Sequence, residues 1–408
     1  MSLSFHRRRY LAATATGALG LALRSISSEQ LAAAPLARLD TQRLLVLWMN
    51  GGPSQLETLD PKPGSEQGGP TKSIATTADG VRIGEHLPKL ARQLHHVALL
   101  RNLSSPEGAH ERAQYLLHTG FALQPNFPRP TLGSVVSRQF PPAPFPKFVS
   151  FGQQRFGPAF LGSLHQAWAI GDPREALSRL RALRSRQRQL EQLKLLGQAF
   201  ADSRQQPVVA ERDAALSRIE SMLSTGFVDA LDVEQEAAAL ERYGDHRFGR
   251  QCLAARRLLE AGVRCVEVQL DGWDTHTNNF NATRRLCEQL DSPWAALLED
   301  LDRSGLLAET TVLWLGEFGR TPRINSNNGR DHFPQVTPVA LAGGAVRGGQ
   351  AIGSTDSAGA PAGQQHSVAD LFATLLKSIG LAADFKFTTD FGSPTAATDQ
   401  GSPIESLL

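Results

Sequence analysis

Three short segments of the chain concentrate side chains that can bind a metal ion or transfer a proton. They are Gly272–His276 with Asp274 and His276, Gly316–Arg320 with Glu317, and Gly329–Phe333 with Asp331 and His332. One carboxylate with two imidazoles suits Zn²⁺ or a similar borderline metal, and the Asp-x-His spacing lets both side chains reach one ion from a loop. An Asp–His pair alone often only braces a loop, but the three segments together predict a metal site.

The chain around these segments predicts an α/β fold. Arg43–Met49, Val263–Leu270 and Thr310–Leu315 are short apolar runs typical of buried strands, and Asn281–Ser304 has the periodicity of a long amphipathic helix. Such alternation favours a mostly parallel central sheet with helices on both faces. We predict that each chemical segment directly follows a strand. Because ligands of parallel sheets bind at the carboxyl ends of strands, the segments should meet at one edge.

Residues 172–262 differ in composition from the rest of the chain. They are rich in Leu, Ala, Arg, Gln and Glu at helical spacing and contain few glycines. This pattern predicts a helical insertion within a single domain that spans residues 35–408. Acids and glutamines interleave the basic stretch Arg179–Lys194, which is more typical of a solvated helix face than of a polyanion site.

The first 34 residues predict an export signal. Three arginines precede an apolar run, Tyr10–Leu23, which is shorter than the roughly 18 residues that span a bilayer, so we expect no stable membrane span. Arg7–Leu11 matches the twin-arginine pattern of two arginines, any residue, an aromatic and a leucine, which marks proteins exported already folded. We therefore expect the twin-arginine machinery as a partner and a periplasmic or secreted location.

Composition excludes several other classes of protein. Lys and Arg number 42 against 40 Asp and Glu, and no basic run alternates with aromatic residues, so nucleic acid is not the expected partner. Three cysteines are too few for a disulfide framework in a chain of 408 residues. Small molecules and surfaces remain as the expected partners.

The segments described above, together with Leu47–Leu56 and Ala255–Arg264, resemble the exported bacterial family known as domain of unknown function 1501. That family is similar to the sulfatase and alkaline phosphatase superfamily, whose members use two metal ions to hydrolyse phosphate or sulfate esters. The resemblance covers the mature chain and implies an alkaline-phosphatase-like fold. It also implies an exported, metal-dependent hydrolase of anionic esters that uses one or two divalent ions, Zn²⁺ above Mn²⁺, Ca²⁺ or Mg²⁺.

The resemblance also implies a set of metal ligands. In the superfamily the first metal takes an Asp, a nearby His and a His before a strand resembling Val-Pro-Val, which Asp274, His276 and His332 match here. The second site departs from that pattern. Asn50 or its glycine neighbours stand where the first Asp of that site belongs, and Glu317 with Phe318 replaces an Asp–His pair. Asn50 and Glu317 remain candidate metal ligands, as does Asp331.

His110 stands where the superfamily has its Ser, Thr or Cys nucleophile, before Thr119-Gly120. The resemblance makes it a candidate nucleophile or ligand, and metal-bound water is the alternative attacking group. Arg320 is a candidate catalytic contact to the anion because a guanidinium suits phosphate or sulfate. Ser54, Ser104 and Ser105 are alternative nucleophiles in loops of the same edge.

Two functions remain open at this point. The set of Asp274, His276 and His332 favours a hydrolase of phosphate or sulfate esters. The altered second site favours a catalytically degenerate relative that binds an anionic glycan or a component of the cell envelope.

Overall fold

The computed structural model describes residues 42–141, 143–185, 225–388 and 392–408, together with residues 192, 216, 219, 220 and 223. The export signal predicted for residues 1–34 lies outside the described residues, and its export role stays a prediction. Within the described residues, no helix combines the length and the hydropathy that crossing a bilayer requires.

The described strands and helices have the following bounds in chain order. The strands are β1 Arg43–Asn50, β2 Ser73–Ala75, β3 Arg82–Gly84, β4 Val97–Ser104, β5 Phe148–Phe151, β6 Trp168–Ala169, β7 Cys265–Asp271, β8 Thr310–Leu315, β9 Gly319–Arg320, β10 His332–Phe333, β11 Thr337–Ala342, β12 Gln350–Ile352, β13 Ser354–Thr355, β14 Pro361–Ala362, β15 His366–Ser367, β16 Lys386–Thr388 and β17 Pro394–Ala396. The helices are α1 Pro88–Ala91, α2 His110–Thr119, α3 Leu132–Gln139, α4 Pro173–Arg184, α5 Thr225–Ala230, α6 Ala237–Tyr243, α7 Arg247–Glu260, α8 Asn279–Arg303 and α9 Val368–Ser378.

The central sheet is mostly parallel. In the described part of the chain it has nine strands in the order β12-β4-β11-β8-β1-β7-β5-β6, with β15 paired to β4. Only the pairings of β11 with β4 and β8 are antiparallel. The predicted α/β class with a mostly parallel sheet is therefore confirmed.

Helices cover both faces of this sheet. Successive residues of a strand point to opposite faces, and β1 accordingly divides its side chains between two apolar clusters. Leu45 and Leu47 pack in a cluster that includes side chains of α7 and α8, whereas Leu44 and Val46 pack in one that includes side chains of α2, α3 and α9. Burial on both faces explains the unbroken apolar sequence of β1.

The helices α4, α5, α6 and α7 lie within residues 172–262, where the sequence predicts helical structure. The last of them, α7, buries Leu253, Ala254 and Leu258 in the cluster that also holds side chains of β7 and α8. This part of the stretch therefore belongs to the layer that covers the sheet. The boundaries of the insertion and of the domain stay predictions.

The direction of β11 changes how the third chemical segment reaches the edge of the sheet. The sequence predicts that Gly329–Phe333 directly follows a strand of the sheet, but the structure places this segment before β11. Because β11 is antiparallel to its neighbours, its amino end lies beside the carboxyl ends of β4 and β8. His332 therefore reaches the expected edge from the opposite chain direction.

Candidate metal centre

The side chains of the candidate centre come from three connections at one edge of the sheet. They are Asp274 and His276 after β7, Glu317 and Arg320 after β8, Asp331 and His332 before β11, and His110 at the start of α2. Tight packing between the connections fixes their spacing. A Cβ added to Gly51 after β1 would lie 2.4 Å from the backbone nitrogen of Asp274, so this position requires glycine.

The Asp274 carboxylate lies among three imidazoles. Its Oδ1 is 3.2 Å from Nε2 of His276 and 3.4 Å from Nε2 of His332, and those two nitrogens are 2.9 Å apart. Ligands about 2.0–2.2 Å from a tetrahedral ion lie roughly 3.3–3.6 Å from one another. The three atoms are therefore close enough together to contact one ion.

His110 faces the other oxygen of the same carboxylate. Its Nε2 is 3.4 Å from Oδ2 of Asp274. His110, Asp274 and His332 form a second possible ligand group, whose donor atoms lie within 4.8 Å of one another. Asp274 and His332 thus belong to both groups, and His276 and His110 occupy opposite sides of the carboxylate.

Each of the three imidazoles is held through its Nδ1 atom. The acceptors lie 2.8 Å from these nitrogens: Asp331 Oδ1 for His276, the Gly108 carbonyl for His332, and Glu317 Oε1 for His110. A carboxylate or carbonyl oxygen requires that Nδ1 carry the proton, so Nε2 of the neutral ring presents a lone pair. Metal-binding histidines are oriented in this way.

The 2.9 Å contact between His276 and His332 brings two Nε2 atoms face to face. Both rings donate through Nδ1, so two neutral rings would face each other with lone pairs on Nε2. A proton on one ring or a metal ion beside both removes this repulsion. Burial, and then the positive charge of Arg320, lowers the pKa of His332, which disfavours the proton. The pair is therefore suited to a metal ion.

Asp331, predicted as a metal ligand, is hydrogen-bonded to His276 through one of its oxygens. Its Oδ1 accepts hydrogen bonds from His276 Nδ1 at 2.8 Å and from Asn325 Nδ2 at 3.1 Å. The hydrogen bond from His276 is the main cause that lowers the pKa of Asp331. The carboxylate therefore stays charged and fixes the orientation of the His276 ring.

Arg320 is placed differently from the predicted anion contact. The side chain is fully buried, and its Nε and Nη1 atoms donate to the carbonyls of Gly52 and Arg330 at 2.9 and 3.2 Å. Its Nη2 donates to the Gly51 carbonyl and, at 2.7 Å, to Asp274 Oδ1. Burial acts to raise the pKa of Asp274, but the hydrogen bond and charge of Arg320 lower it overall. Arg320 therefore keeps Asp274 ionised and in position.

Glu317 reaches the centre through His110. The carboxylate is fully buried, and both of its oxygens accept from the Gly51 N–H at 3.0 Å. Its Oε1 also accepts from Gln114 Nε2 at 3.1 Å and from His110 Nδ1. The last of these hydrogen bonds is the main cause that raises the pKa of His110. Glu317, predicted as a metal ligand, thus makes His110 a stronger base.

Asn50, also predicted as a ligand, lies beyond this cluster. Its amide donates to Asp271 Oδ1 at 2.8 Å, and its Oδ1 accepts from Gln114 Nε2 at 2.9 Å. Gln114 therefore links Asn50 to Glu317. Gln114 was not among the predicted site residues, although its place four residues after His110 on a predicted helix puts both side chains on one face.

Two of the alternative serine nucleophiles belong to local structure, and the third is buried. The Ser105 hydroxyl accepts the backbone N–H of Glu107, and Ser104 is the last residue of β4. Ser54 is buried, and its hydroxyl has no hydrogen-bond partner among the described residues. His110 is therefore the candidate nucleophile or base that touches Asp274.

Comparison with known proteins gives one family and several distant folds. The family model described as "Protein of unknown function (DUF1501)" matches residues 41–408, and no curated protein matches the chain. The chain is similar to a lipoteichoic acid synthase from Listeria monocytogenes at 8% identity and a TM-score of 0.40, covering 88% of this chain and 75% of that one. It is also similar to a phosphonate monoester hydrolase from Agrobacterium radiobacter at 10% identity and a TM-score of 0.40, covering 90% and 77%. A sulfatase from Pseudoalteromonas matches at 11% identity and a TM-score of 0.38, covering 86% and 72%.

Proposed function

The chain belongs to the DUF1501 family, and we propose that it is a metal-dependent hydrolase of phosphate or sulfate esters. One observation carries this proposal. Two imidazoles with protonated Nδ1 atoms present their Nε2 atoms to each other at 2.9 Å and to Asp274 Oδ1 at 3.2 and 3.4 Å. A divalent cation satisfies all three atoms at once.

The donor set indicates which ion is favoured. Asp274, His276 and His332 would hold it through one oxygen and two nitrogens. Zn²⁺ accepts this mixture readily, and Mn²⁺ is also compatible, whereas Ca²⁺ and Mg²⁺ prefer oxygen ligands. A bound divalent ion would supply Lewis-acid polarisation of a phosphoryl or sulfuryl oxygen.

The chain itself supplies a proton acceptor beside that position. In the proposed reaction His110 Nε2 takes a proton from the attacking water, and Glu317 stabilises the imidazolium that results through its bond to Nδ1. The ester bond breaks as the new bond to phosphorus or sulfur forms. Glu317 and Arg320 act as positioning residues because one orients His110 and the other orients Asp274.

The twin-arginine pattern at Arg7–Leu11 supports export as part of the proposal. The protein would then act in the periplasm or outside the cell on a small-molecule or glycan ester. The second candidate is a relative that binds such an anion without turning it over. This candidate is favoured because Glu317 and Asn50 are hydrogen-bonded to other protein groups. Ligands for only one metal ion then remain among the described residues.

Metal analysis combined with turnover tests the proposal. We expect the purified mature chain to retain about one Zn²⁺ or Mn²⁺ and to hydrolyse p-nitrophenyl phosphate or p-nitrophenyl sulfate. His332→Ala should lose the metal and reduce turnover by at least about 10²-fold. His95→Ala is the matched control, because His95 precedes β4 and lies at the opposite end of that strand. Bound metal without turnover of either ester would contradict the hydrolase and favour the binding protein.

A further inference from the structure

A polar cavity of about 490 Å³ lies beside the candidate metal centre. Its size falls within the range of about 300–1,000 Å³ that is common for small-ligand sites. It opens at the carboxyl ends of β1, β5, β6 and β7. The polar side chains that line it are Asn50, Gln153, Arg155, Arg247, Gln269 and Asp271. The proposed reaction uses none of these side chains.

The cavity and the centre share a hydrogen-bonded boundary. Gln114 Nε2 donates to Asn50 Oδ1 at 2.9 Å, on the cavity side, and to Glu317 Oε1 at 3.1 Å, on the side of the centre. Arg155 Nη1 donates to the Oε1 atom of the same glutamine at 3.2 Å. Gln114 therefore connects the lining of the cavity to the group that holds His110.

Two guanidinium groups give the cavity its charge. Arg155 and Arg247 are exposed, and neither forms an ion pair with a carboxylate among the described residues, although Asp271 lines the same cavity and is bonded to Asn50. Guanidinium groups bind phosphate, sulfate and carboxylate through paired hydrogen bonds. The amides and Asp271 provide groups that can bond to hydroxyls.

We propose that this cavity binds the non-reacting part of the substrate, with Arg155 and Arg247 holding a second acidic group. The substrate class is then a hydroxylated ester that carries an acidic group besides the one that is cleaved, as an acidic sugar ester does. The inference rests on the proposed function, because it assumes that the cleaved group lies at Asp274. It adds a binding site that selects against esters whose only acidic group is the one that is cleaved.

Binding of two matched phosphonates tests the inference without turnover, since neither has an ester bond. The probes are 6-phosphonohexanoate, which has a carboxylate at its far end, and hexylphosphonate, which does not. Calorimetry with the zinc-loaded mature protein should show at least about tenfold tighter binding of 6-phosphonohexanoate, the effect of roughly one charge-assisted contact. Equal affinities in the wild-type protein would overturn the inference.

Single variants assign the effect to the two arginines. Arg155→Gln and Arg247→Gln should each remove most of the preference and leave hexylphosphonate binding within about twofold. Arg92→Gln is the charge-matched control, because Arg92 is exposed and precedes β4 at the opposite end of that strand. Loss of affinity for both probes to the same extent, or loss of the preference in Arg92→Gln, would also overturn it.

Zinc removal separates this inference from the proposed function. If hexylphosphonate binds equally well with and without zinc, the metal centre is not its site and the proposed function fails. If zinc is required but the carboxylate adds nothing, the proposed function stands and the inference about the cavity fails.

Discussion

Glu317→Gln should alter the pH dependence of the reaction more than it alters the fold. The carboxylate is fully buried and accepts hydrogen bonds from the Gly51 N–H, Gln114 and His110. A glutamine must place its NH₂ group against one of these donors, whichever way its amide is turned. If the amide oxygen keeps the Oε1 position, the Gly51 N–H retains one of its two acceptors and faces the NH₂ group on the other side, which costs about 1 kcal/mol of the free energy of unfolding.

The effect on His110 follows from the lost charge. Glu317 raises the pKa of His110, mainly through its hydrogen bond. In the glutamine variant this pKa should fall toward about 6.5, the ordinary value of histidine. Because a base must be unprotonated, the acidic limb of kcat/KM should move to lower pH. The maximum rate should fall by about 10–100-fold, as is usual when the residue that supports a functional histidine is changed.

The assay is a pH–rate profile of the metal-loaded protein, with urea unfolding measured in parallel. Glu267→Gln is the matched control, since Glu267 is also buried and its Oε2 lies 3.6 Å from His118 Nε2. Glu267→Gln should unfold at lower urea concentration, and the acidic limb of its kcat/KM profile should stay at the wild-type pH. An unmoved limb in Glu317→Gln, or the same shift in Glu267→Gln, would refute the role of Glu317 as the support of a catalytic base.

Three further predictions concern the metal, the metal-free protein and export. His276→Ala should reduce bound zinc, measured by mass spectrometry of the purified protein, by at least about tenfold; full zinc content would contradict its assignment as a ligand. Glu317 raises the folded-state pKa of His110 above its unfolded value, so in the metal-free protein this pair stabilises the fold fully below about pH 6.5 and loses its effect as pH rises through the raised pKa. Urea unfolding across this range should show that dependence in the wild type, and its persistence in His110→Gln would refute the cause. Replacing Arg7 and Arg8 by lysine should leave the precursor in the cytoplasm, and unchanged export in cell fractions would exclude the twin-arginine route.

The sequence allowed prediction of which residues meet but not of what each one does. Asp274 and His276 could be placed at this edge because the end of β7 is visible as the limit of an apolar run, whereas His332 reaches the edge before β11. Asp331 and Glu317 have the same chemistry as a metal-binding aspartate, and only the approach of separate connections decides that they accept from histidine Nδ1 atoms. The Gly108 carbonyl that holds His332 has no sequence signal, because every residue carries such a group.

The direction of β11 was the main feature of the sheet that apolar patterning could not supply. A buried strand has the same sequence pattern in either direction. A signal was available in the connection from Leu315 to Thr337, which has no helical periodicity, whereas parallel neighbours usually need a helical crossover. Short paired strands, β9 and β10, occupy this connection instead and place His332 opposite Arg320.

Because β11 returns antiparallel beside β8, one loop carries four residues of the candidate centre. Residues 316–336 leave β8 and re-enter the sheet in the adjacent β11, and they include Glu317, Arg320, Asp331 and His332. Insertions or replacements within this loop can change the candidate metal centre without altering the order of the strands. Exchange of this loop between relatives would transfer Glu317, which holds His110, together with Arg320, which pairs with Asp274, and His332.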